Sequence, residues 1–180
     1  KTMIGEKLNK AINDQIKNEL ESYYIYLSMA AYFHSRSLDG MGHWMRCQAH
    51  EETIHAMKFF EHLIDRGGKV ELQDVKQLKT EWSSPLEAFQ DAYAHEQFIT
   101  GKINELTGIA REEKDYASEP MLAWFSDEQI EEEASTGKIA DELAMVAEDK
   151  SGLLMIDREL GQRAYPVGSP FGPAAGGEDT

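Results

Sequence analysis

Apolar residues recur every three or four positions through four long stretches of the chain, the spacing of one buried face on an α-helix. The first stretch runs from Gly5 to His34, where Ser-Arg-Ser-Leu-Asp-Gly breaks it. The second runs from Gly42 to Arg66 and ends at Gly67-Gly68, where glycine takes the left-handed position beyond a helix C-terminus. The third opens at Ser84-Pro85-Leu86-Glu87, with Ser84 as N-cap, Pro85 first in the helix and Glu87 completing a capping box. It continues to Glu113. The fourth has Ser118 as cap, Pro120 in its first turn, and runs to Glu148. A shorter helix, Leu153 to Leu160, follows Ser151-Gly152. No stretch alternates like a strand and no segment repeats at a fixed period.

The connections fix the arrangement of these helices. Short links join the first to the second and the third to the fourth, so each pair forms an antiparallel hairpin. Roughly 18 residues, Gly68 to Pro85, separate the hairpins, and at about 3.3 Å per residue they can run the length of a helix. Such a segment is a crossover that leaves the second and third helices parallel. The expected fold is all-α: a four-helix bundle with one long crossover and a short fifth C-terminal helix. It occupies residues 1–163; residues 164–180, rich in Pro and Gly, are expected to be disordered.

Each apolar stripe carries an acid near its middle. The first helix reads Leu8, Ile12, Ile16, Glu19, Tyr23, Leu27, Ala30, and the second Met45, Gln48, Glu52, His55, Phe59, Leu63. The third reads Phe89, Tyr93, Glu96, Ile99, Ile103, Leu106. The fourth reads Leu122, Phe125, Gln129, Glu132, Thr136, Ile139, Leu143, Val146. Counting from the centres of the hairpins at about 1.5 Å per residue puts Glu19 level with Glu52, and Glu96 level with Glu132, within roughly 5 Å. Glu52 and Glu96 also lie at similar depths in their parallel helices. Four carboxylates therefore meet at mid-height, with His55 one turn from Glu52 and Gln129 one turn from Glu132. An isolated buried charge costs several kcal/mol, and no Lys or Arg falls in these stripes near that level. Two divalent cations would balance the four acids. Oxygen ligands with one imidazole suit iron or manganese better than a thiolate-rich zinc site. Glu52 is placed to bridge two ions, with His55 completing one of them.

Composition narrows the partners. The 180 residues include 33 acidic and 18 basic ones, a net charge of −15, and a surface that negative repels phosphate backbones and anionic lipids while attracting cations. Neither nucleic acid nor membrane is an expected partner. The single cysteine, Cys47, excludes an internal disulfide and suits a reducing compartment, so the expected location is cytoplasmic. "HEETIH" superficially matches a zinc-peptidase motif, but its histidines, His50 and His55, are five apart and cannot share a helix face as that motif requires.

The segments "NELESYYIYLSMA", "AHEETIHA", "HEQFITGKINEL" and "WFSDEQIEEE" resemble bacterial and archaeal non-haem ferritins, over roughly Met3 to Arg163. The resemblance implies iron storage and detoxification. A ferroxidase centre would oxidise Fe²⁺ with O₂ or H₂O₂ at two iron ions per subunit, and a ferric oxyhydroxide mineral would form inside a cage of 24 copies. It implies a di-iron site at Glu19, Glu52, His55, Glu96, Gln129 and Glu132, and a third iron site at Glu51, Glu128, Glu131 and Glu132. Tyr26, one turn past Tyr23, would either stand near the metals as a redox-active group or pack as an ordinary core tyrosine. Related di-iron families repeat Glu-x-x-His in the second hairpin, but here Ser135 follows Glu132 by three, so one ion would be held weakly. Thr53 follows Glu52 where bacterioferritins carry their haem-binding methionine, so no haem is expected. Two other classes remain: a small-oligomer di-iron oxidase or peroxidase acting on another substrate, and a metal-free helical interaction module.

Overall fold

The computed structural model describes residues 3–76 and 79–167. They form five helices: α1 (Glu6–His34), α2 (Asp39–Asp65), α3 (Pro85–Glu112), α4 (Glu119–Val146) and α5 (Lys150–Leu160), with no strand among the described residues.

Two apolar clusters fix the topology. One gathers Ile4 just before α1, the start of α1 (Leu8, Ile12, Ile16), the end of α2 (Phe59, Leu63), the end of α3 (Ile99, Ile103, Leu106) and the start of α4 (Leu122, Phe125). The other gathers the end of α1 (Tyr26, Met29, Phe33), the start of α2 (Met41, Trp44, Met45), the start of α3 (Ala88, Phe89) and the end of α4 (Ile139, Leu143). Each hairpin is therefore antiparallel, and α2 runs parallel to α3, as the long crossover requires. Between the two clusters lies a polar layer, and it holds the acids picked out by the stripes.

Side chains of α1 clamp the crossover along its length. Asn9 Oδ1 accepts from the Lys69 amide (2.9 Å), Asn13 Nδ2 donates to the Lys69 carbonyl (2.8 Å), and Ser28 Oγ donates to the Lys79 carbonyl (2.7 Å). These contacts satisfy backbone groups that a non-helical strap would otherwise leave unpaired. At its far end Trp82 enters the second cluster, its ring 5.2 Å from Tyr32 and its Nε1 donating to Asp91 Oδ2.

Several helix ends differ from the sequence-based expectation. α2 begins at Asp39 rather than Gly42, because Asp157 on α5 accepts from the Met41 amide (2.8 Å) and so caps the first turn across the fold. α5 begins at Lys150 rather than Leu153, with Asp149 as N-cap accepting from the Ser151 amide (2.9 Å). Ser84 does cap α3, but Glu87 accepts from the Ser83 amide, one residue earlier than a capping box places it. Ser118 makes no side-chain cap; its hydroxyl donates to Asp115, which also forms a two-pronged pair with Arg66 (2.7 and 2.8 Å). α4 stops at Val146 because Ala147 turns to a φ of 28°. In α1 the buried face passes through Ser22, Tyr26 and Met29, leaving Tyr23 half-buried and Leu27 40% exposed.

The α2–α5 contact is tight. A Cβ added at Gly40 would sit 1.7 Å from the Asp157 carbonyl oxygen, a backbone atom that cannot turn aside. Gly40→Ala is therefore expected to push α5 away and destabilise the fold by about 1–3 kcal/mol. A lowered urea midpoint is the readout; an unchanged midpoint would mean that α5 is free to shift.

Residues Ala164–Val167 follow α5 as non-helical chain, and Tyr165 packs on the α2 rings of His43 (5.0 Å) and His50 (5.7 Å). The rest of the segment expected to be disordered, residues 168–180, lies outside the described residues.

Candidate metal centre

All four long helices send side chains into the polar layer: Glu19 from α1, Glu52 and His55 from α2, Glu96 from α3, Gln129 and Glu132 from α4. None is more than 5% exposed. Each of these residues stands in an otherwise apolar stripe, so packing of the two clusters above and below forces them inward together.

Ligand atoms of Glu19, Glu52 and His55 lie within 4.8 Å of one another, as do those of His55, Glu128 and Glu132. His55 thus belongs to both groups, and its ring is fixed between Trp124 and Phe125 (both 5.6 Å), with Phe125 stacked on Phe59 at 4.1 Å. Its Nδ1 is 3.3 Å from Glu52 Oε2. Glu96 joins neither group: Tyr26 donates to its Oε1, and Gln129 Nε2 donates to its Oε2 (3.1 Å). None of His34, His43, His50, His62 and His95 joins a metal-compatible group among the described residues.

The electrostatics are those of charge gathered away from water. Burial pushes the carboxyls of Glu19, Glu52 and Glu132 well above the ordinary glutamate value. The neighbouring acids push further: Glu52 on Glu19, Glu96 on Glu52, and both Glu96 and Glu52 on Glu132. Glu96 is raised too, again by burial, but the hydrogen bonds from Tyr26 and Gln129 hold it back. Burial, and then the Glu96 charge, lift the Tyr26 phenol well above its usual value, which keeps it a neutral donor.

Glu19 Oε2 is the sharpest sign of a missing charge. Gln15 Nε2 donates to Oε1 (2.7 Å), but Oε2 is fully buried with no donor near it. A proton shared with Glu52 meets that need when the layer is empty of cations, and a metal ion meets it otherwise. The donor set of carboxylate oxygens and one imidazole fits a hard or borderline divalent ion such as Fe²⁺.

Glu51, Glu128 and Glu131 lie at the rim. Glu51 and Glu128 are half-buried and Glu131 is exposed. Burial raises the Glu128 carboxyl, with Glu131 and Glu51 adding to it and His55 opposing. Glu51 is ion-paired to Arg163.

The supporting amides were not singled out from sequence. Gln48 Nε2 donates to Glu132 Oε2 (2.6 Å) and weakly to Glu52 Oε1 (3.3 Å). Arg163 Nη1 donates to Gln48 Oε1 (2.8 Å), and because a guanidinium only donates, it settles which end of that amide faces the acids. Gln48 and Gln15 each stand one helical turn before a buried glutamate, and that spacing is a signal a sequence reader could use. Arg163, beyond α5, carries no such signal.

A family model described as a ferritin-like domain matches residues 9–146. A bacterial non-heme ferritin of Bacteroides fragilis is 39% identical over 161 residues, covering 89% of this chain and all of the relative. One from Staphylococcus aureus is 37% identical, covering 91% of this chain and 98% of its own length. Among solved structures, a humanized archaeal ferritin superposes with a TM-score of 0.89 at 47% identity, covering 91% of this chain and 99% of its own. An open-pore ferritin from Archaeoglobus fulgidus gives 0.88 at 48% identity, covering 89% and 99%.

Proposed function

The chain belongs to the ferritin family, and we propose that it stores iron by oxidising Fe²⁺ inside each bundle and depositing the ferric product within a self-assembled shell. The observation that carries this reading is the buried layer itself: a carboxylate from each of four helices, one imidazole, and a glutamate oxygen without a donor.

Glu19, Glu52 and His55 would hold one Fe²⁺. Glu96, Gln129 and Glu132 would hold its neighbour, with Glu52 between them. The surrounding acids are within each other's field, so two cations relieve a repulsion that the empty layer relieves only by taking up protons. Oxygen, or peroxide, accepts one electron from each Fe²⁺. The hard oxygen ligands favour the Fe³⁺ that results, and the protons released as it hydrolyses pass to water. Lacking a second Glu-x-x-His, the α4 side holds its ion through a neutral amide and shared carboxylates, which suits a product that must leave. Glu51, Glu128 and Glu131 at the rim would form the first stop on its way out. Tyr26, a neutral phenol bonded to Glu96, would be the redox-active group, giving one electron to the oxygen being reduced while its proton passes to Glu96 and a tyrosyl radical is left.

Self-association fits the surface. Leu154 and Met155 on α5 and Leu72 on the crossover are 48%, 70% and 69% exposed, apolar side chains that a partner copy would cover. We assign the shell 24 copies, the number carried by the family resemblance. A small-oligomer oxidase acting on an organic substrate would need open space beside the metals, whereas Trp124 and Phe125 close on His55 and Phe59 stacks on Phe125.

Aerobic addition of Fe²⁺ followed by size-exclusion chromatography tests the proposal. Oxidation faster than in buffer, with ferric iron eluting in a particle far larger than one chain, is the expected result. Iron that precipitates while the protein elutes as a small oligomer would contradict it.

A further inference from the structure

Arg163 reaches the rim of the metal layer from outside the four long helices. Its place is built in. Its carbonyl accepts from His43 Nε2 (2.7 Å), its guanidinium lies 4.5 Å from the ring centre of Trp44, and Tyr165 packs on His43 two residues later. One arm of the guanidinium donates to Gln48 Oε1 and the other to Glu51 Oε2. Both acceptors are oxygen atoms that could otherwise ligate a cation.

Glu51 stands in the field of Glu128 and Glu132, and ligand atoms of Glu128, Glu132 and His55 are already within 4.8 Å of one another. Left free, Glu51 would add a further carboxylate to that group. Paired with a guanidinium, which keeps its charge at any physiological pH, it does not. A bound guanidinium also places a positive charge where an incoming cation must approach.

We infer that Arg163 sets how many ions the centre binds tightly: by holding Glu51 and the carbonyl oxygen of Gln48, it confines tight binding to the buried pair and leaves the rim a weak, transit position. The inference rests on the metal-binding reading given under Proposed function. It makes Arg163 a positioning residue and a competitor for the rim, and it links metal capacity to the segment beyond α5.

The test is a titration of the iron-free, assembled full chain with Zn²⁺, a redox-inert divalent ion, with bound positions located by anomalous diffraction at the zinc edge. The wild type is expected to bind two ions tightly in the buried layer and a third weakly at the rim. Arg163→Gln, and equally Arg163→Met, which keeps contact with Trp44, should tighten the third by about tenfold or more by removing a nearby charge and freeing Glu51. Arg163→Lys should stay within about threefold of the wild type, because the charge persists. The double variant Arg163→Gln with Glu51→Gln should lose the gain. A purely structural role for Arg163 would not tighten any site. If the buried pair binds normally and neither neutral variant changes the third ion, or if the double variant keeps the gain, the inference is overturned on its own. If no variant binds zinc in the layer, the metal-binding reading falls with it.

Discussion

Glu52→Ala and His55→Ala are each expected to slow the initial oxidation of Fe²⁺ in air by more than about 100-fold, since loss of a supporting contact alone typically costs 10–100-fold in metal affinity or activity. Both residues touch the group around Glu19, and His55 is shared with the group around Glu132, so either loss removes a ligand from the middle of the layer. Glu52→Gln separates lost chemistry from lost structure. It keeps the shape of the side chain and stands in for the protonated carboxyl that burial and the Glu96 charge favour, without the cost of protonating it at neutral pH. The metal-free variant should therefore be at least as stable as the wild type at neutral pH while oxidising iron as slowly as Glu52→Ala. Stopped-flow absorbance of ferric product and urea denaturation read the two effects. Oxidation at wild-type speed in Glu52→Ala would remove this residue from the site.

The second large effect is on stability. Glu19, Glu52, Glu96 and Glu132 have carboxyls raised in the folded state, so the folded, metal-free protein keeps protons that the unfolded chain has released. Wherever the folded state binds more protons, stability falls as pH rises, by about 1.4 kcal/mol per pH unit for each proton held. That loss begins at the ordinary glutamate value near about 4.3 and ends at the raised values. His50, His62 and His95 act against it at lower pH. Their folded values are depressed, His95 to about 4, chiefly by burial, so the unfolded chain binds the extra protons up to the ordinary histidine value near about 6.5. Asp115 and Glu87, depressed chiefly by pairing with Arg66 and Lys79, change stability only below the ordinary carboxylate range. Above about pH 6.5 the carboxyl layer is left to act unopposed, and the metal-free protein should weaken as pH rises. Metal reverses the sign. A divalent ion expels those protons, so the stabilisation by Zn²⁺ should grow across the same window, reaching about 4 kcal/mol per site at a thousandfold excess over the dissociation constant. Urea midpoints of metal-free and zinc-loaded protein that move in parallel with pH would contradict this.

The layer was legible in the sequence because it rests on two local periodicities that tertiary structure could not override. A glutamate inside each of four apolar stripes, at matching distances from two short links, can only meet its counterparts at mid-height. The link between Gly68 and Pro85 was legible as a crossover because its length exceeds what a turn needs. Helix ends were less legible wherever a distant residue satisfies the end groups. Asp39 opens α2 because Asp157, far along the chain, accepts from Met41, and no local pattern announces that contact. The α1 stripe departs from its simple periodicity at Leu27, which is exposed, because Tyr26 turns inward to reach Glu96 instead. Asn9 and Asn13 read as ordinary polar helix positions, and only the strap lying across them reveals them as clamps. Arg163 is illegible for the same reason: the stripes hold no cation near Glu52, and Arg163 reaches the rim from a segment that looks like the start of a tail.

The most direct measurement is anomalous diffraction at the iron edge from a crystal soaked with Fe²⁺ under anaerobic conditions. Two peaks are expected inside the bundle, one among Glu19, Glu52 and His55, the other beside Glu52, Glu96, Gln129 and Glu132. An empty layer, with iron found only on exposed acids, would contradict the two-metal centre and the function built on it.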